Sequence, residues 1–282
     1  MLKIFFIVLS LIALALLVLN ACGPSKKKAD EEKAPTIEIT HGYDFANPSQ
    51  KFKLSKSLKE ISGLSYYKDS QLICVNDEEG KIFIYDIDKE DIVDKIEFEK
   101  KGDYEGVEFV GDEVYAMKTH GKIKAININT HSERTIDCTN PDVVEYEGLG
   151  YDAHTNSLLL VTKEHIKAKD DEKLIYSYDL TKNQLAISYT ITKDMVRGKN
   201  GKADFRPSGI AVHPSSGDVY IVASHGKKLL ILTQYGKKKD LIELDEKLFT
   251  QPEGICFTPS GDLYISSEGD DKKGYILKFI YN

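Results

Sequence analysis

The stretch PSGIAVHPSSGDVY at residues 207–220 recurs farther along the chain as PEGICFTPSGDLY at residues 252–264. Each copy contains an apolar run, a turn rich in Pro, Ser, Gly and Asp, and a second apolar run, which predicts two antiparallel strands. The same corner, in which Ser or Glu precedes a glycine, occurs in five places. The corner glycines are Gly63, Gly106, Gly148, Gly209 and Gly254. Most of the intervals between them are about 42–45 residues long, which is typical of propeller blades.

A third strand-like run follows in every unit, and a fourth follows in the first four units. Four short antiparallel strands per unit are the pattern of a blade. The last unit lacks a fourth strand because the sequence stops at Asn282, but the segment Gln50–Leu58 before the first unit is available to supply it. We therefore predict an all-β fold, a five-bladed β-propeller closed by an N-terminal strand. The longer interval between Gly148 and Gly209 leaves six blades as the alternative.

Composition and motifs exclude several classes of function. The chain has 282 residues, with 38 Lys and Arg against 45 Asp and Glu, and a formal net charge of −7. Nucleic-acid binding needs a positively charged surface, and this chain has no basic block, so no nucleic-acid partner is expected. The sequence also lacks the motifs of serine hydrolases, P-loop proteins, zinc peptidases and dinucleotide-binding enzymes.

The N-terminus has the pattern of a targeting signal. Lys3 precedes an apolar run at residues 4–19, interrupted only by Ser10, which is short for a membrane-spanning helix and is soon followed by Cys22. This pattern resembles a bacterial lipobox. We predict that residues 1–21 are a lipoprotein signal peptide and that Cys22 is lipidated. The alternative is an ordinary export signal or a membrane anchor in which Cys22 plays no part.

The charged residues 22–35 have no apolar period and are predicted to be a flexible tether. Residues 36–282 are predicted to form the propeller domain. A lipid anchor would attach this domain to a membrane of the cell envelope, the outer membrane if the organism is Gram-negative.

Three cysteines remain in the propeller domain: Cys74, Cys138 and Cys256. Their number is odd, two of them lie in strand-like runs, and none has the CxxC spacing of a metal site. They are predicted to be buried free thiols. A disulfide bond is the alternative.

Polar residues recur at one end of the units. In an antiparallel blade, the loop entering the first strand and the loop joining the second and third strands lie on the same face, so these residues should converge near the axis. Ser62 and Ser208 precede the corner glycine in two units, and glutamates do so in the other three. The glutamates are Glu105, Glu147 and Glu253. Because three such carboxylates repel one another, we predict that they hold a metal ion; the alternative is that they only cap the corner.

A second set of residues lies at the same predicted mouth and is a candidate for ligand binding. Its members are Glu60, Asp77, Lys118, Lys163, Arg206, His225 and Glu268. A site rich in carboxylates suits calcium, which accepts six to eight oxygen ligands, and backbone carbonyls at the corners could complete the shell. The basic residues have an alternative role, which is to neutralise the glutamates in salt bridges. The repeated His-Gly-Lys segments are interpreted as turns rather than as zinc sites.

The corners taken together resemble those of the SdiA-regulated family of bacterial envelope proteins. They are Glu60–Leu64, Asp103–Val107, Glu145–Leu149, Arg206–Ile210 and Pro252–Ile255. The resemblance covers the chain from about Leu54 onward and implies a five-bladed propeller with calcium in its central region and no established enzymatic reaction. It gives Glu105, Glu147 and Glu253 a role in calcium binding. The first and fourth units depart from the pattern, since Glu60 is displaced and Ser208 replaces the acid.

Two classes of function follow from these observations. The first is a lipid-anchored binding module that holds calcium and recognises a small molecule, a glycan or a protein at the axial mouth. The alternative is a metal-dependent hydrolase of the phytase-like, esterase-like or lactonase-like kind. In that enzyme an axial glutamate and the metal would activate water, and Lys118, Lys163 or Arg206 would hold an anionic substrate. The absence of a compact catalytic signature favours the binding module.

Overall fold

The computed structural model describes residues 39–167, 172–269 and 273–282. The predicted signal peptide, the lipidation site Cys22 and the tether, residues 1–35, lie outside these ranges. Within them, no helix is long and apolar enough to cross a membrane. The described ranges consist mostly of β-strands, and their only helix is the short 3-10 turn Lys56–Leu58.

The strands of the described chain form five antiparallel sheets of four strands each. Blade 1 consists of β2 (Ile61–Lys68), β3 (Gln71–Asn76), β4 (Lys81–Asp86) and β5 (Asp91–Glu97). Blade 2 consists of β6 (Tyr104–Val110), β7 (Glu113–Lys118), β8 (Lys122–Asn127) and β9 (Glu133–Asp137). Blade 3 consists of β10 (Val143–Asp152), β11 (Ser157–His165), β12 (Lys173–Asp179) and β13 (Gln184–Ile191). Blade 4 consists of β14 (Arg206–Val212), β15 (Val219–His225), β16 (Lys228–Leu232) and β17 (Lys238–Glu243).

Blade 5 is built from both ends of the described chain. It consists of β1 (Gln50–Lys53), β18 (Gln251–Phe257), β19 (Leu263–Glu268) and β20 (Tyr275–Phe279). The N-terminal strand β1 pairs antiparallel with β20, with Phe52 opposite Ile276. The prediction that an N-terminal strand completes the last blade is therefore confirmed, and this pairing gives β20 a partner on its outer side.

The first strands of neighbouring blades contact one another in a closed ring, in the order β2, β6, β10, β14, β18 and back to β2. This arrangement is a five-bladed β-propeller, as predicted. The six-bladed alternative is wrong, since the long interval between Gly148 and Gly209 contains one blade. Its extra length includes the non-strand segment at residues 192–205 before β14.

The hydrophobic core lies between neighbouring blades. Ile73 and Val75 of β3, for example, belong to one buried cluster with Val107 of β6 and Val114 of β7. This follows from the alternation of side chains along a strand, which gives each inner sheet two apolar faces. The outermost strands are mostly exposed, as the pattern of β5 illustrates. Three thiols are buried in this core and form no disulfide bond: Cys74, Cys138 and Cys256.

The corner glycines meet at the axis, where each one packs on the next blade. A Cβ atom on Gly209 would lie 2.2 Å from the carbonyl oxygen of Glu253, and one on Gly106 would lie 2.7 Å from the amide nitrogen of Leu149. Both distances are too short for real atoms, so glycine is required by the close approach of two backbones. Gly148 also has a φ of +106°, which favours glycine by itself.

We call these five glycines the glycine hub. The space enclosed beside them is only about 10 Å³, which leaves room for at most a single water molecule. The hub therefore divides the axis into two ends that face opposite sides of the propeller. The sequence predicted a turn-forming role for these glycines, whereas the structure adds packing between blades.

Candidate functional site

The three predicted metal-binding glutamates lie in the innermost strands of blades 2, 3 and 5, each directly before the corner glycine. The strand pairing is irregular at each of these positions, for example between Tyr104 and Gly106. A β-bulge of this kind bends the strand and redirects the side chain beside it. Glu147 and Glu253 are each only 7% exposed, so carboxylates are buried close to the axis.

Lys163 of β11 is the cation closest to these glutamates in the described structure. Its Nζ atom lies 2.5 Å from Glu147 Oε1 and 3.3 Å from Glu145 Oε2. Burial opposes the charge on Lys163, but the hydrogen bonds and charges of both glutamates prevail and raise its pKa. The alternative role expected from the sequence, neutralisation of a glutamate by Lys163, is therefore present in the structure.

The other two glutamates are held in a less compensated environment. Burial, the charge of Glu147 and a hydrogen bond with Asp103 together raise the pKa of Glu105 to about 9, and burial is the largest of these causes. Burial also raises the pKa of Glu253 well above its usual range, with the charges of Glu268 and Glu147 as further causes. Both shifts show that these carboxyl groups lie among negative charges with little water.

Three of the predicted ligand-binding acids lie on the side of the axis formed by blades 1 and 5. Burial is the main cause that raises the pKa of Glu268 to about 7, and the negative charges of Asp77 and Glu60 are the next largest causes. Burial and the charge of Glu60 likewise raise the pKa of Asp77 to about 6. Glu268 accepts a hydrogen bond of 2.8 Å from Gln251 Nε2. The acids Glu60, Asp77 and Glu268 therefore adjoin the three corner glutamates, since the charge of Glu268 acts on Glu253.

These interactions join carboxylates from four blades into one acidic surface. We call it the axial mouth and define it by seven residues: Glu60, Asp77, Glu105, Glu147, Lys163, Glu253 and Glu268. The charge of Glu147 raises the pKa of acids in both directions around the ring, on Glu105 of blade 2 and on Glu253 and Glu268 of blade 5. Lys163 is the only base in this set. The arrangement is suited to binding a cation.

Three other predicted ligand-binding residues lie away from the axial mouth. Lys118 pairs with Glu99 at 2.8 Å and lies over the ring of Tyr104, so it compensates an acid between blades 1 and 2. Arg206 and His225 are opposite each other at the ends of β14 and β15. They line a separate cleft of about 450 Å³ between blades 3 and 4.

The segment at residues 192–205 forms one wall of that cleft, and Lys228 holds it in place. The Lys228 side chain is buried and donates hydrogen bonds to the carbonyls of Val196 at 2.9 Å, Asp204 at 2.9 Å and Lys202 at 3.2 Å. Burial lowers the pKa of this lysine, but three carbonyl dipoles satisfy its charge. The insertion is thus anchored to blade 4.

The structure adds residues that the sequence reasoning missed. Asp103, Glu145 and Gln251 interact with the mouth acids, and each precedes a corner glutamate by two positions. Residues two apart on a strand point to the same face. The recurring pattern of a polar residue, one other residue and Glu before the corner glycine is therefore the sequence signal for these positions.

The chemistry of the axial mouth fits calcium, which prefers carboxylate and carbonyl oxygens. Asp77 also has a buried oxygen, Oδ1, without a hydrogen-bond partner. Across residues 39–167, 172–269 and 273–282, however, no three His, Cys, Asp or Glu side chains form a ready metal cluster. An ion at this site would need backbone carbonyls and water to complete its shell.

Comparisons with known proteins agree with the architecture. Residues 43–270 match the model of the family described as SdiA-regulated. No curated protein sequence matches the chain.

Several solved structures share the fold at low sequence identity. The glutaminyl cyclase of Myxococcus xanthus is 12% identical, with a TM-score of 0.58, and the match covers 84% of this chain and 96% of that one. The aldose sugar dehydrogenase of Streptomyces coelicolor, in its PQQ-bound form, is also 12% identical, with a TM-score of 0.52 and coverage of 84% and 98%. A Bacteroides thetaiotaomicron protein of unknown function is 12% identical, with a TM-score of 0.53 and coverage of 81% and 55%. These likenesses concern the fold alone.

Proposed function

Since this chain belongs to the SdiA-regulated family, we propose that it is a binding module of the bacterial cell envelope that holds a calcium ion at its axial mouth. The ion and the surrounding residues would recognise a small molecule, a glycan or a protein. A lipid on Cys22 would attach the module to the membrane, which is the outer membrane in a Gram-negative organism.

One observation carries the calcium proposal: buried carboxylates from separate blades converge around Lys163, while Lys59 lies at the rim, 3.6 Å from Glu60. Glu147 is engaged by Lys163, whereas burial and neighbouring negative charges raise the pKa of Glu105 and Glu253. A buried negative charge is costly unless a cation or hydrogen bonds satisfy it. A divalent cation would relieve this repulsion, and the buried Asp77 Oδ1 is a further oxygen donor without a partner.

Glu105, Glu147 and Glu253 are the residues proposed to hold the ion, with oxygens of the corner backbone and of Asp77 as further donors. When bound, calcium would offer a positively charged centre to oxygen atoms of a ligand. Glu60 and Glu268 would border the opening, and Lys163 would keep the Glu147 side chain in place. Specificity would come from the loops around this rigid ring.

The test is thermal unfolding at pH 7.5 with calcium, with magnesium and with a chelator. An ion that binds only the folded protein stabilises it by about 2.7 kcal/mol at a concentration one hundred times Kd. For a domain of this size, that corresponds to a rise in Tm of about 5–10 °C. Titration calorimetry should show one site, and Glu253→Gln should weaken it.

Glu97→Gln is the matched control, because it makes the same chemical change at an exposed position on the outer strand β5. It should leave calcium binding unchanged. The proposal fails if millimolar calcium causes neither a shift in Tm nor heat of binding, or if both variants behave alike.

A metal-dependent hydrolase is the second candidate function. The observation that favours it is the raised pKa of Glu268 at the rim of the axial mouth. A pKa of about 7 for Glu268 lies close to the value suited to proton transfer at neutral pH. Phosphoester, ester and lactone substrates should be tested with added calcium. Turnover that disappears in Glu147→Gln, in a protein that remains folded, would establish the enzyme; no turnover with any substrate leaves the binding module in place.

The lipid anchor has an independent test. Cells expressing the full chain can be labelled with an alkyne fatty acid and fractionated. The wild-type protein should carry the label in the membrane fraction, and Cys22→Ser should lose it. Membrane attachment that persists without label in the variant would instead indicate an uncleaved anchor.

A further inference from the structure

The end of the axis opposite the axial mouth contains a second cavity. It has a volume of about 290 Å³ and is lined by the far ends of the innermost strands. Every blade contributes to its wall: Ser65, Glu108, Tyr151, Val212 and Phe257. We call this cavity the far vestibule. The glycine hub lies between it and the mouth, so the two sites do not communicate through the axis.

The walls of the far vestibule are mainly aromatic and apolar. Tyr66, Phe109, Tyr151 and Phe257 all line it, and no lysine or arginine occurs among the described residues of the lining. Phe109 is fixed by an edge-to-face contact with Tyr67, at 4.9 Å between ring centres. Aromatic faces carry negative partial charge and attract cations. This wall therefore suits the apolar body of a ligand and tolerates a positive charge beside it.

Glu108 is the one carboxylate among the described lining residues. Its Oε1 atom accepts hydrogen bonds from Ser65 Oγ at 2.6 Å and from the Phe109 amide at 3.1 Å. Both bonds end on the same oxygen, which leaves Oε2 for another partner. The two bonds also fix the orientation of the carboxylate. It is a preorganised acceptor within an otherwise apolar cavity.

No cation of the described protein compensates this carboxylate. Burial raises the pKa of Glu108 to about 7, and the opposing contributions come only from hydrogen bonds of Ser65 and Phe109. His154 and His213 line the same cavity, and neither is paired with Glu108; burial lowers the pKa of His213, which favours its neutral ring. A positive group supplied from outside would satisfy Glu108.

We propose that the far vestibule binds a small organic amine, whose ammonium group pairs with Glu108 and whose apolar body lies among the aromatic rings. An anion would be repelled by the carboxylate, and a neutral ligand would bury it without compensation. The cavity lies at the small end of the range for ligand pockets, which limits the ligand to a compact molecule. This site is independent of the calcium proposed at the axial mouth.

Titration calorimetry at pH 8 with the full chain tests the proposal, with phenethylamine as the probe. Phenethyl alcohol and hydrocinnamate have similar bodies with a neutral and an anionic group. The amine should bind, and the alcohol should bind about tenfold more weakly or worse, since a tenfold difference corresponds to about 1.4 kcal/mol and a partly desolvated charge contributes on that order. Hydrocinnamate should not bind.

Variants locate the amine in the cavity. Glu108→Gln keeps an oxygen for Ser65 and the Phe109 amide but removes the charge, and it should lower amine affinity about tenfold. Glu147→Gln at the axial mouth should leave amine affinity unchanged. Ala153 lies in an exposed turn at the rim of the vestibule. Ala153→Tyr should reduce binding by occupying space, and it keeps the test decisive if Glu108→Gln does not fold.

The proposal is overturned if millimolar phenethylamine produces no heat of binding, or if the alcohol binds as well as the amine. It is also overturned if a folded Glu108→Gln protein keeps its affinity, or if Ala153→Tyr has no effect. Loss of amine binding in Glu147→Gln would place the amine at the axial mouth instead. Calcium-dependent stabilisation in Glu108→Gln should match the wild type, so failure at one site is distinguishable from failure at the other.

Discussion

Replacement of Gly209 by alanine tests whether the blades close on the glycine hub. The added methyl group would lie 2.2 Å from the carbonyl oxygen of Glu253 and 3.1 Å from side-chain carbons of Ile255 and Val222. The first contact is with backbone, which cannot rotate away. Blades 4 and 5 must therefore move apart by about 0.8 Å before that contact reaches 3.0 Å, the shortest distance that real Cβ atoms show. Gly209 does not have a positive φ, so backbone strain adds nothing to the effect.

Overpacking of a tight core costs about 1–3 kcal/mol, and the upper end applies here because backbone has to shift. We expect Gly209→Ala to lower the free energy of unfolding by about 3 kcal/mol, measured by urea denaturation. The corresponding fall in Tm is about 6–12 °C. Because Glu253 belongs to the axial mouth, any calcium binding should weaken as well.

Gly111→Asn is the control for this variant. Gly111 has a φ of +61°, and no atom lies within 4 Å of the position that a Cβ atom would occupy. Asparagine tolerates this left-handed conformation. The substitution should change stability by less than about 1 kcal/mol. If Gly209→Ala were no more destabilising than this control, the close approach of the blades at the hub would be refuted.

Three further predictions concern pH, the insertion and the thiols. Burial and repulsion raise the pKa of Glu105 to about 9 and that of Glu268 to about 7, from an ordinary value of 4.5. The folded protein therefore binds more protons than the unfolded chain between these values, and stability should fall as pH rises from about 5 to 9. Urea denaturation in chelator measures this, and a rise over that window would contradict it. Lys228→Met should leave three carbonyls without a donor, cost about 3 kcal/mol and speed limited proteolysis within residues 192–205; an unchanged cleavage rate would show that Lys228 does not hold the insertion. The three core thiols are buried, and burial raises their pKa values, so in a Cys22→Ser protein a thiol reagent should label them only after unfolding. Rapid labelling of the native protein would mean that the core is open.

The fold was predictable because the repeat is explicit in the sequence. Corner glycines at nearly regular intervals and alternating apolar runs defined the blades, and the missing strand of blade 5 indicated closure by Gln50–Leu58. The observed strand is shorter, Gln50–Lys53, and is followed by the 3-10 turn Lys56–Leu58. The long interval in blade 3 could not be resolved from sequence, since its residue pattern does not distinguish an insertion from a degenerate blade.

The acidic part of the mouth was also predictable, since topology alone brings the strand ends of different blades to one axis. Pairing between individual side chains was not. Lys118 pairs with Glu99 between two blades, whereas Lys163 pairs with Glu147, although both lie toward the end of the second strand of a blade. Side-chain direction at a strand end depends on bulges and loop length, which the residue pattern does not encode.

Buried polar groups away from the repeat pattern left no signal. Glu108 lies at a strand position where an acid normally indicates a solvent-exposed face, but it borders the far vestibule because five strands converge there. Lys228 follows a His-Gly-Lys turn and looks like a surface residue, yet it is 4% exposed. In both cases the environment is created by segments distant in sequence.

A crystal structure grown with calcium, with anomalous scattering data to identify the ion, tests the central claim most directly. We predict one calcium peak on the propeller axis at the mouth, with oxygens of Glu105, Glu147 or Glu253 at about 2.3–2.6 Å. An axis without calcium at millimolar concentration, or glutamate side chains that point away from it, would contradict the account.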